Sequence, residues 1–402
     1  MKLNDLEFII IGENAHATRV VLRKGKLVTK NPDGVESVRY LDRNKKRRYL
    51  VIPEDIKKTQ NYDEGRVKHV IIAIQAAMSG QEPHASEGLE YLHRLVQRQV
   101  DAGTDFLDLN VDEISWRREE QKEAMRWLVQ TVQEISPIPL SVDSSSTEIM
   151  QAGLEACDGR AGQTMLNSAA LDRLEVLDLA MQYHTKVIVQ AASESGMPQN
   201  ADERVANASR LVDTALDKGI VIQDIFVDPL IFPIGVDTET SNHCFEAIRR
   251  LREKYGPDIH ISGGFSNVSF QMPCRRLIND VFTILAVEAG ADSGIIDPVS
   301  SNPRKVFSLD RESRAYHLTE TMLLGGIVSA RHFYVRIAKG NWRFVDRMEN
   351  LISPQLPLSD KPGASSLFTR DIQLRSDAAV CLRELRCLLS APMLRLLLKC
   401  HA

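Results

Sequence analysis

Eight short apolar runs, each closed by a polar residue or Gly, place the tightest limit on what this chain can fold into. They occupy residues 8–12, 106–110, 140–143, 163–167, 187–190, 225–228, 260–263 and 294–297 of 402. Runs of this kind read as fully buried strands. Between them lie longer stretches with helical periodicity, among them 89–100, 119–135, 148–157, 201–218, 243–255 and 278–289, with stops at Gly103, Gly219, Gly256 and Gly290. Strands alternating with helices predict parallel pairing through crossovers, and eight such units predict a closed (β/α)8 TIM barrel. An open doubly wound sheet is the alternative. It would carry a Gly-rich phosphate loop after its first strand, and Gly12-Glu-Asn-Ala-His-Ala-Thr18 is not one.

Polar residues close almost every run. Glu13 and Asn14 end the first, Asn110 and Asp112 the second, and Asp143, Asn167, Gln190, Asp228, Asn267 and Asp297 the later ones. In a barrel these ends meet on one face, where barrel active sites sit. One Asp or Asn after a strand is most often a helix cap or turn former; eight on one rim are harder to assign that way. In Asp143-Ser-Ser-Ser146 a serine is expected to cap the following helix while Asp143 points into the mouth. The segment His260-Ile-Ser-Gly-Gly-Phe-Ser-Asn-Val-Ser-Phe270 starts as a strand and ends in small polar residues. Taken alone, it fits a turn that satisfies its own backbone as well as it fits a site reading a polar heterocycle or sugar.

Three parts depart from a plain barrel. Residues 20–60 read as an inserted β-meander in the first βα loop, with turns at Pro32-Asp-Gly34 and Arg43-Asn-Lys-Lys46. Such an insertion lies on the catalytic face, either covering the mouth, meeting a partner or decorating the surface. A long helix over 313–339 is expected to complete the barrel domain at about residue 350. A Pro- and Ser-rich linker (351–368) is expected to lead into a Leu-rich amphipathic extension (377–400) that packs on the barrel or on a neighbouring subunit, a mobile tail being the alternative; a homodimer is expected. The formal net charge of -4 argues against nucleic acid and acidic membrane surfaces as partners. No apolar run spans a bilayer, and the acid-bearing N-terminus is unlike a signal peptide, so a cytoplasmic location is expected.

The rim carries none of the common catalytic signatures: no H-E-x-x-H, no His and Cys cluster for a metal, no G-x-S-x-G. His16, His69, His84 and His93 are dispersed and read as structural or surface residues. What remains is acids and carboxamides. This set suits a flat heterocycle, because a carboxylate accepts two parallel hydrogen bonds from a ring N–H and an exocyclic amine, and Asn or Gln reads the rest of the edge.

Five strand ends resemble one family. Leu107-Asp-Leu-Asn-Val-Asp-Glu113, Pro139-Leu-Ser-Val-Asp-Ser-Ser145, Leu166-Asn-Ser168, Ile225-Phe-Val-Asp-Pro229 and Ser262-Gly-Gly-Phe-Ser-Asn-Val-Ser-Phe270 are similar to the pterin-binding methyltransferases. These include methyltetrahydrofolate:corrinoid methyltransferases and the folate module of cobalamin-dependent methionine synthase. Arg275 and Ala289-Gly-Ala-Asp292 continue the pattern, which covers about residues 7–300. Dihydropteroate synthases are similar more weakly, since their Lys-containing motif has no clear counterpart here. The first strand departs: many members read Gly-Glu-Arg-x-Asn, against Gly12-Glu-Asn-Ala-His16 here, and Phe265 stands where Val is common.

The resemblance implies that Asp143, Asn167 and Asp228 hold the pyrimidine edge of the pterin and that Asn110 lines the same pocket. Gln190 and Glu13 complete the implied binding set, and Asn267 with Asp143 forms the implied catalytic pair near N5. The implied substrate is tetrahydrofolate or 5-methyltetrahydrofolate. The implied methyl partner is cobalamin or another corrinoid, carried by a separate protein because no D-x-H-x-x-G motif occurs here. No metal ligand set is implied. The alternatives are a dihydropteroate synthase-like condensation and a non-catalytic folate-binding subunit.

Overall fold

Each of the eight runs forms a strand, and the eight close into a barrel. In the computed structural model the backbone is described for residues 2–326 except 4, 5 and 273. The barrel strands are β1 (Ile9–His16), β2 (Phe106–Asn110), β3 (Leu140–Asp143), β4 (Met165–Ala169), β5 (Lys186–Gln190), β6 (Ile225–Asp228), β7 (His260–Ile261) and β8 (Ser293–Ile296). All neighbouring pairs are parallel, from β7 through β2 to β1 and then β8. Closure between β7 and β8 uses a parallel bridge from Gly264 to Ile295 and a hydrogen bond from Ile295 N to Gly263 O at 2.9 Å. Ile11, Phe106, Met165, Ile188, Phe226 and Ile295 pack inside as one buried cluster. Branched and aromatic side chains from many strands fill the interior, so the barrel is a packed core below its mouth.

The intervening helices are α1 (His84–Asp101), α2 (Arg118–Ile135), α3 (Thr147–Ala156), α4 (Glu175–Tyr183), α5 (Ala201–Asp217), α6 (Thr240–Tyr255), α7 (Arg275–Ala289) and α8 (Arg314–Leu323). In α2, Gln121, Ala124, Met125, Leu128, Val129 and Val132 are buried at helical spacing, and Glu119 and Glu120 sit in the first turn, where the helix dipole favours acids. At the start of α5 the Asn200 side chain accepts from Glu203 N at 2.9 Å. Gly290 ends α7 at φ +116°, as its position predicts.

Several expectations change. Helix α4 is not among the segments that read as helical. It ends on His184 in the left-handed region, φ 52°, so no Gly marks its end. Of the helix expected over 313–339, the described residues show Arg314–Leu323, followed by Gly325 at φ +73° and Gly326; residues 327–339 lie outside the described residues. A Gly pair there ends the turn of helix. None of the serines of 144–146 caps α3 with its side chain. Ser144 instead donates to Asp112 Oδ1 at 2.5 Å and accepts from Ser146 N at 3.1 Å. The linker and helical extension expected beyond 350 lie outside the described residues.

The insertion folds as the expected meander, an antiparallel sheet of Val28–Lys30, Glu36–Leu41 and Arg47–Val51. It packs on the flank of α1, where the Tyr40 and Tyr91 rings meet edge to face with centroids 4.9 Å apart. None of its residues lines the mouth cavity.

Candidate active site

Strand β1 brings the least expected group to the mouth. Its apolar run predicts an end at Gly12. The strand instead continues to His16 through a β-bulge, in which Gly12 pairs with Leu107 but Ala15 pairs with Leu109. The extra residue re-aims the end of the strand, and His16 lands opposite Asn110. Asn110 in turn pairs with Asp143, and Asp143 with Asn167. Four adjacent strands thus bring His16, Asn110, Asp143 and Asn167 to one level of the barrel.

These groups line or underlie a cavity of ≈ 380 Å³ at the strand ends, bounded by Glu13, His16, Asp143, Asn167, Gln190, Asp228 and Asn267, with Ile295 as an apolar wall. The size falls within the usual range for small-molecule sites. Six of the seven expected site residues therefore meet around one space. The seventh, Asn110, is buried behind Asp143 and donates its amide to Asp143 Oδ2 at 3.0 Å.

Two carboxylates share one imidazole. His16 Nε2 lies 2.9 Å from Asp108 Oδ2 and 2.6 Å from Asp143 Oδ2, and Nδ1 lies 3.1 Å from Thr18 Oγ1. Burial opposes a charged imidazole, but the two carboxylates outweigh it and hold His16 well above its ordinary pKa. Burial and the neighbouring Asp108 carboxylate push Asp143 upward, with His16 and Asn110 pulling the other way. Among the described residues this is the group in which a cation could sit between His and acid ligand atoms. The imidazole bridges the two acids at hydrogen-bond distance. Asp108 and His16 are the participants that sequence reasoning missed. Asp108 had a visible signal, a carboxylate inside an apolar run and two residues before Asn110, hence on the same side of the strand. His16 had none, because a bulge leaves no mark in a single sequence.

The acceptors facing the cavity are open. Asp143 uses Oδ2 for His16 and Asn110, and Asp228 uses Oδ1 to accept from Leu230 N at 2.7 Å. Burial raises Asp228 to about 6, partly offset by that backbone N–H and by the Arg204 charge. Asn167 Nδ2 reaches Asp108 Oδ1 at 3.4 Å, and Gln190 Nε2 donates to Ser168 Oγ at 2.8 Å. The rim is not confined to acids and carboxamides: Arg173 also lines the cavity, donating to Ser144 O at 3.2 Å.

Asn267 sits on a 3₁₀ turn, Phe265–Ser269, between β7 and α7. Phe265 anchors the turn in the core, 5.4 Å from the Phe282 ring. Arg275 donates to Ser266 O at 2.9 Å and to Ser269 Oγ at 3.0 Å, and Ser266 Oγ donates to Glu13 Oε1 at 2.6 Å. The same Glu13 Oε1 also accepts from Arg19 at 3.0 Å, and Arg19 reaches Asp297 at 3.1 Å.

Glycine is required beside Asp228. Gly263 has φ +148°, and a Cβ there would lie 2.3 Å from Ile231 Cδ1 and 2.9 Å from Asp228 Oδ1. Gly263→Ala is expected to displace Asp228 and to cost roughly 1–3 kcal/mol of stability from strain and overlap. Urea unfolding with ligand titration checks this; an unchanged midpoint and unchanged affinity would contradict the packing.

The family profile described as pterin binding enzyme matches residues 84–297, just over half of the chain. The chain belongs to the pterin-binding enzymes. Among curated relatives, this pterin-binding chain is 27% identical over 241 residues to a methylcorrinoid:tetrahydrofolate methyltransferase of Eubacterium limosum, covering 57% of this chain and 86% of the relative. It is 30% identical over 214 residues to methionine synthase of Mycobacterium tuberculosis, covering 50% of this chain and only 18% of that much longer protein. Among solved structures, a dihydropteroate synthase of Xanthomonas albilineans matches 57% of this chain and 87% of its own at 19% identity and a TM-score of 0.46. Among the described residues no helix is long and apolar enough to cross a membrane.

Proposed function

We propose that this pterin-binding protein transfers a methyl group between N5 of tetrahydrofolate and the cobalt of a corrinoid carried by a separate protein. The observation that carries the reading is the set of open acceptors and carboxamides around one cavity: Asp143 Oδ1, Asp228 Oδ2, Asn167, Gln190 and Asn267. A pterin presents a ring N–H, an exocyclic amine and a carbonyl along one edge. Asp228 and Asp143 accept from the first two, and Asn167 reads the remainder. The name of the Eubacterium limosum relative, a methylcorrinoid:tetrahydrofolate methyltransferase, supports the corrinoid and folate pair.

The chain's own groups have three tasks. The strand ends bind the pyrimidine edge and so fix the ring. Ile295 supports the ring from an apolar wall, which excludes water from one side. Asn267 stands on the turn above Gly264, where its amide orients the proton at N5. A neutral tertiary amine is a poor leaving group, so the Asn267 carbonyl, accepting a hydrogen bond from an N5 that has taken its proton from solvent water, lowers the barrier in the direction away from folate; in the other direction N5 gives that proton back to water. The corrinoid supplies, when bound, the metal centre that gives up or takes the methyl carbon. A corrin ring is larger than the cavity, so it is presented at the mouth from outside.

The rim suits such a presentation. Four βα loops around the mouth display large apolar side chains: Trp116 is 86% exposed, Val236 84%, Met197 57% and Phe270 50%. Exposed apolar groups gathered on a functional face favour a protein partner. Trp116→Glu is expected to slow transfer with a corrinoid protein at least tenfold and to leave transfer with free cobalamin unchanged. A variant that matches the wild type with the corrinoid protein, or loses rate equally with both acceptors, would remove the loops from partner contact.

Incubation with cob(I)alamin and 5-methyltetrahydrofolate tests the function, through the methylcobalamin absorption spectrum. Pyrophosphate release with a pterin pyrophosphate and p-aminobenzoate would instead indicate dihydropteroate synthase-like condensation.

A further inference from the structure

We propose that His16 is a cationic positioning residue that bridges Asp108 and Asp143 and favours the ionised form of Asp143, so that Asp143 meets its ligand as a carboxylate. The inference deepens the reading of the cavity as a pterin site and rests on it for the identity of that ligand. Its basis is geometry. The ligand-type atoms of His16, Asp108 and Asp143 lie within 4.8 Å of one another, and Asp108 is completely buried. Two carboxylates that close in a water-poor site cannot both stay charged unless a cation stands between them; otherwise one takes a proton. No Lys or Arg of the described residues pairs with either acid, and the imidazole fills that place.

The other charged groups around the cavity do not substitute for it. Glu13 is committed to Arg19, and Asp112 accepts from Ser144 Oγ and Ser145 N. Arg173 donates to the Ser144 carbonyl, and Asp228 lies across the mouth beside Leu230 N. The direction of the His16 titration agrees with the geometry, since its carboxylate neighbours hold the ring protonated against the effect of burial. The first strand departs from Gly-Glu-Arg-x-Asn at this position and at Asn14.

The consequence is a pH profile. In the wild type, the His16 charge opposes the upward push of burial and Asp108 on Asp143, and affinity for tetrahydrofolate is expected to fall as pH drops through about 6, where Asp228 takes a proton. In His16→Gln the side-chain amide replaces Nε2 as a donor but brings no charge. Asp143 then loses the charge that opposes the effect of burial and so holds a proton to higher pH than in the wild type, and in that form it accepts one hydrogen bond fewer from the ligand. The expected result is at least tenfold weaker tetrahydrofolate binding at pH 7, with most of the loss recovered at pH 9. A side chain that only filled space would give a loss independent of pH.

Calorimetric titration of wild type and His16→Gln between pH 6 and 9 reads this directly. NMR of the wild-type imidazole, assigned by its disappearance in the variant, gives a second reading that does not depend on the variant's folding. His16 is expected to remain protonated at pH 7.5. An ordinary midpoint near 6.5, or equal affinities with the same pH profile, overturns the proposal. Failure of the wild type to bind folate at any pH overturns the pterin reading, and the His16 titration then decides the clamp alone.

Discussion

Asn267→Ala is expected to reduce methyl transfer by roughly 100-fold, the typical cost of removing one hydrogen-bonding group that acts on developing charge, while tetrahydrofolate affinity changes only a few-fold. The split comes from where the residue stands. Asp143, Asn167 and Asp228 hold one edge of the cavity from strand ends, whereas Asn267 stands on the separate turn after β7. That turn is fixed by Phe265 in the core and by Arg275 and Glu13 at its sides. Truncation to Ala therefore removes the amide without releasing the backbone. Single-turnover rates with calorimetric dissociation constants check the result. Equal losses in rate and binding would make Asn267 a ring contact with no part in handling N5.

Asp228→Asn is expected to weaken tetrahydrofolate binding and to stabilise the fold, two effects of opposite sign from one carboxylate. Asp228 has its folded pKa raised to about 6 by burial. A group raised above its unfolded value contributes stability that is fully present below the unfolded pKa and lost as pH rises through the folded one. The wild type thus loses stability between about pH 4 and 6, and a rise of that size corresponds to at most about 3 kcal/mol. The Asn variant lacks this step and unfolds at higher urea concentration at pH 7.5. Ligand binding runs the other way. The charged form accepts from the pterin edge, so wild-type affinity falls as pH drops through about 6, and losing a charge-assisted pair costs roughly 1.5–3 kcal/mol, some 10- to 100-fold. Urea curves and titrations at pH 5 and 7.5 together test the pair of signs. A variant that is both less stable and equally tight in binding would contradict the placement of Asp228.

The strand ends were legible because two independent patterns coincide there. Unbroken apolar runs mark strands buried on both faces, and a polar residue at each end marks the rim. Asp143, Asn167 and Asp228 could be found that way, and the structure brings them together. Three features lay beyond such reading. The bulge in β1 depends on how Gly12 and Ala15 pair with β2, which no local pattern encodes, so His16 reads in sequence only as one of the dispersed histidines. Helix α4 ends on a left-handed His184 rather than on Gly. The meander's three strands were visible in its turns, but its position against α1 rests on a Tyr40 to Tyr91 contact between residues far apart in the chain.

The central claim is that the cavity holds a folate so that its N5 exchanges a methyl group with cobalt. Purified protein mixed anaerobically with cob(I)alamin and 5-methyltetrahydrofolate should give methylcobalamin and an equal amount of tetrahydrofolate, at a rate that falls with Asn267→Ala. No calorimetric binding of either folate, together with an unchanged cobalamin spectrum, would contradict it.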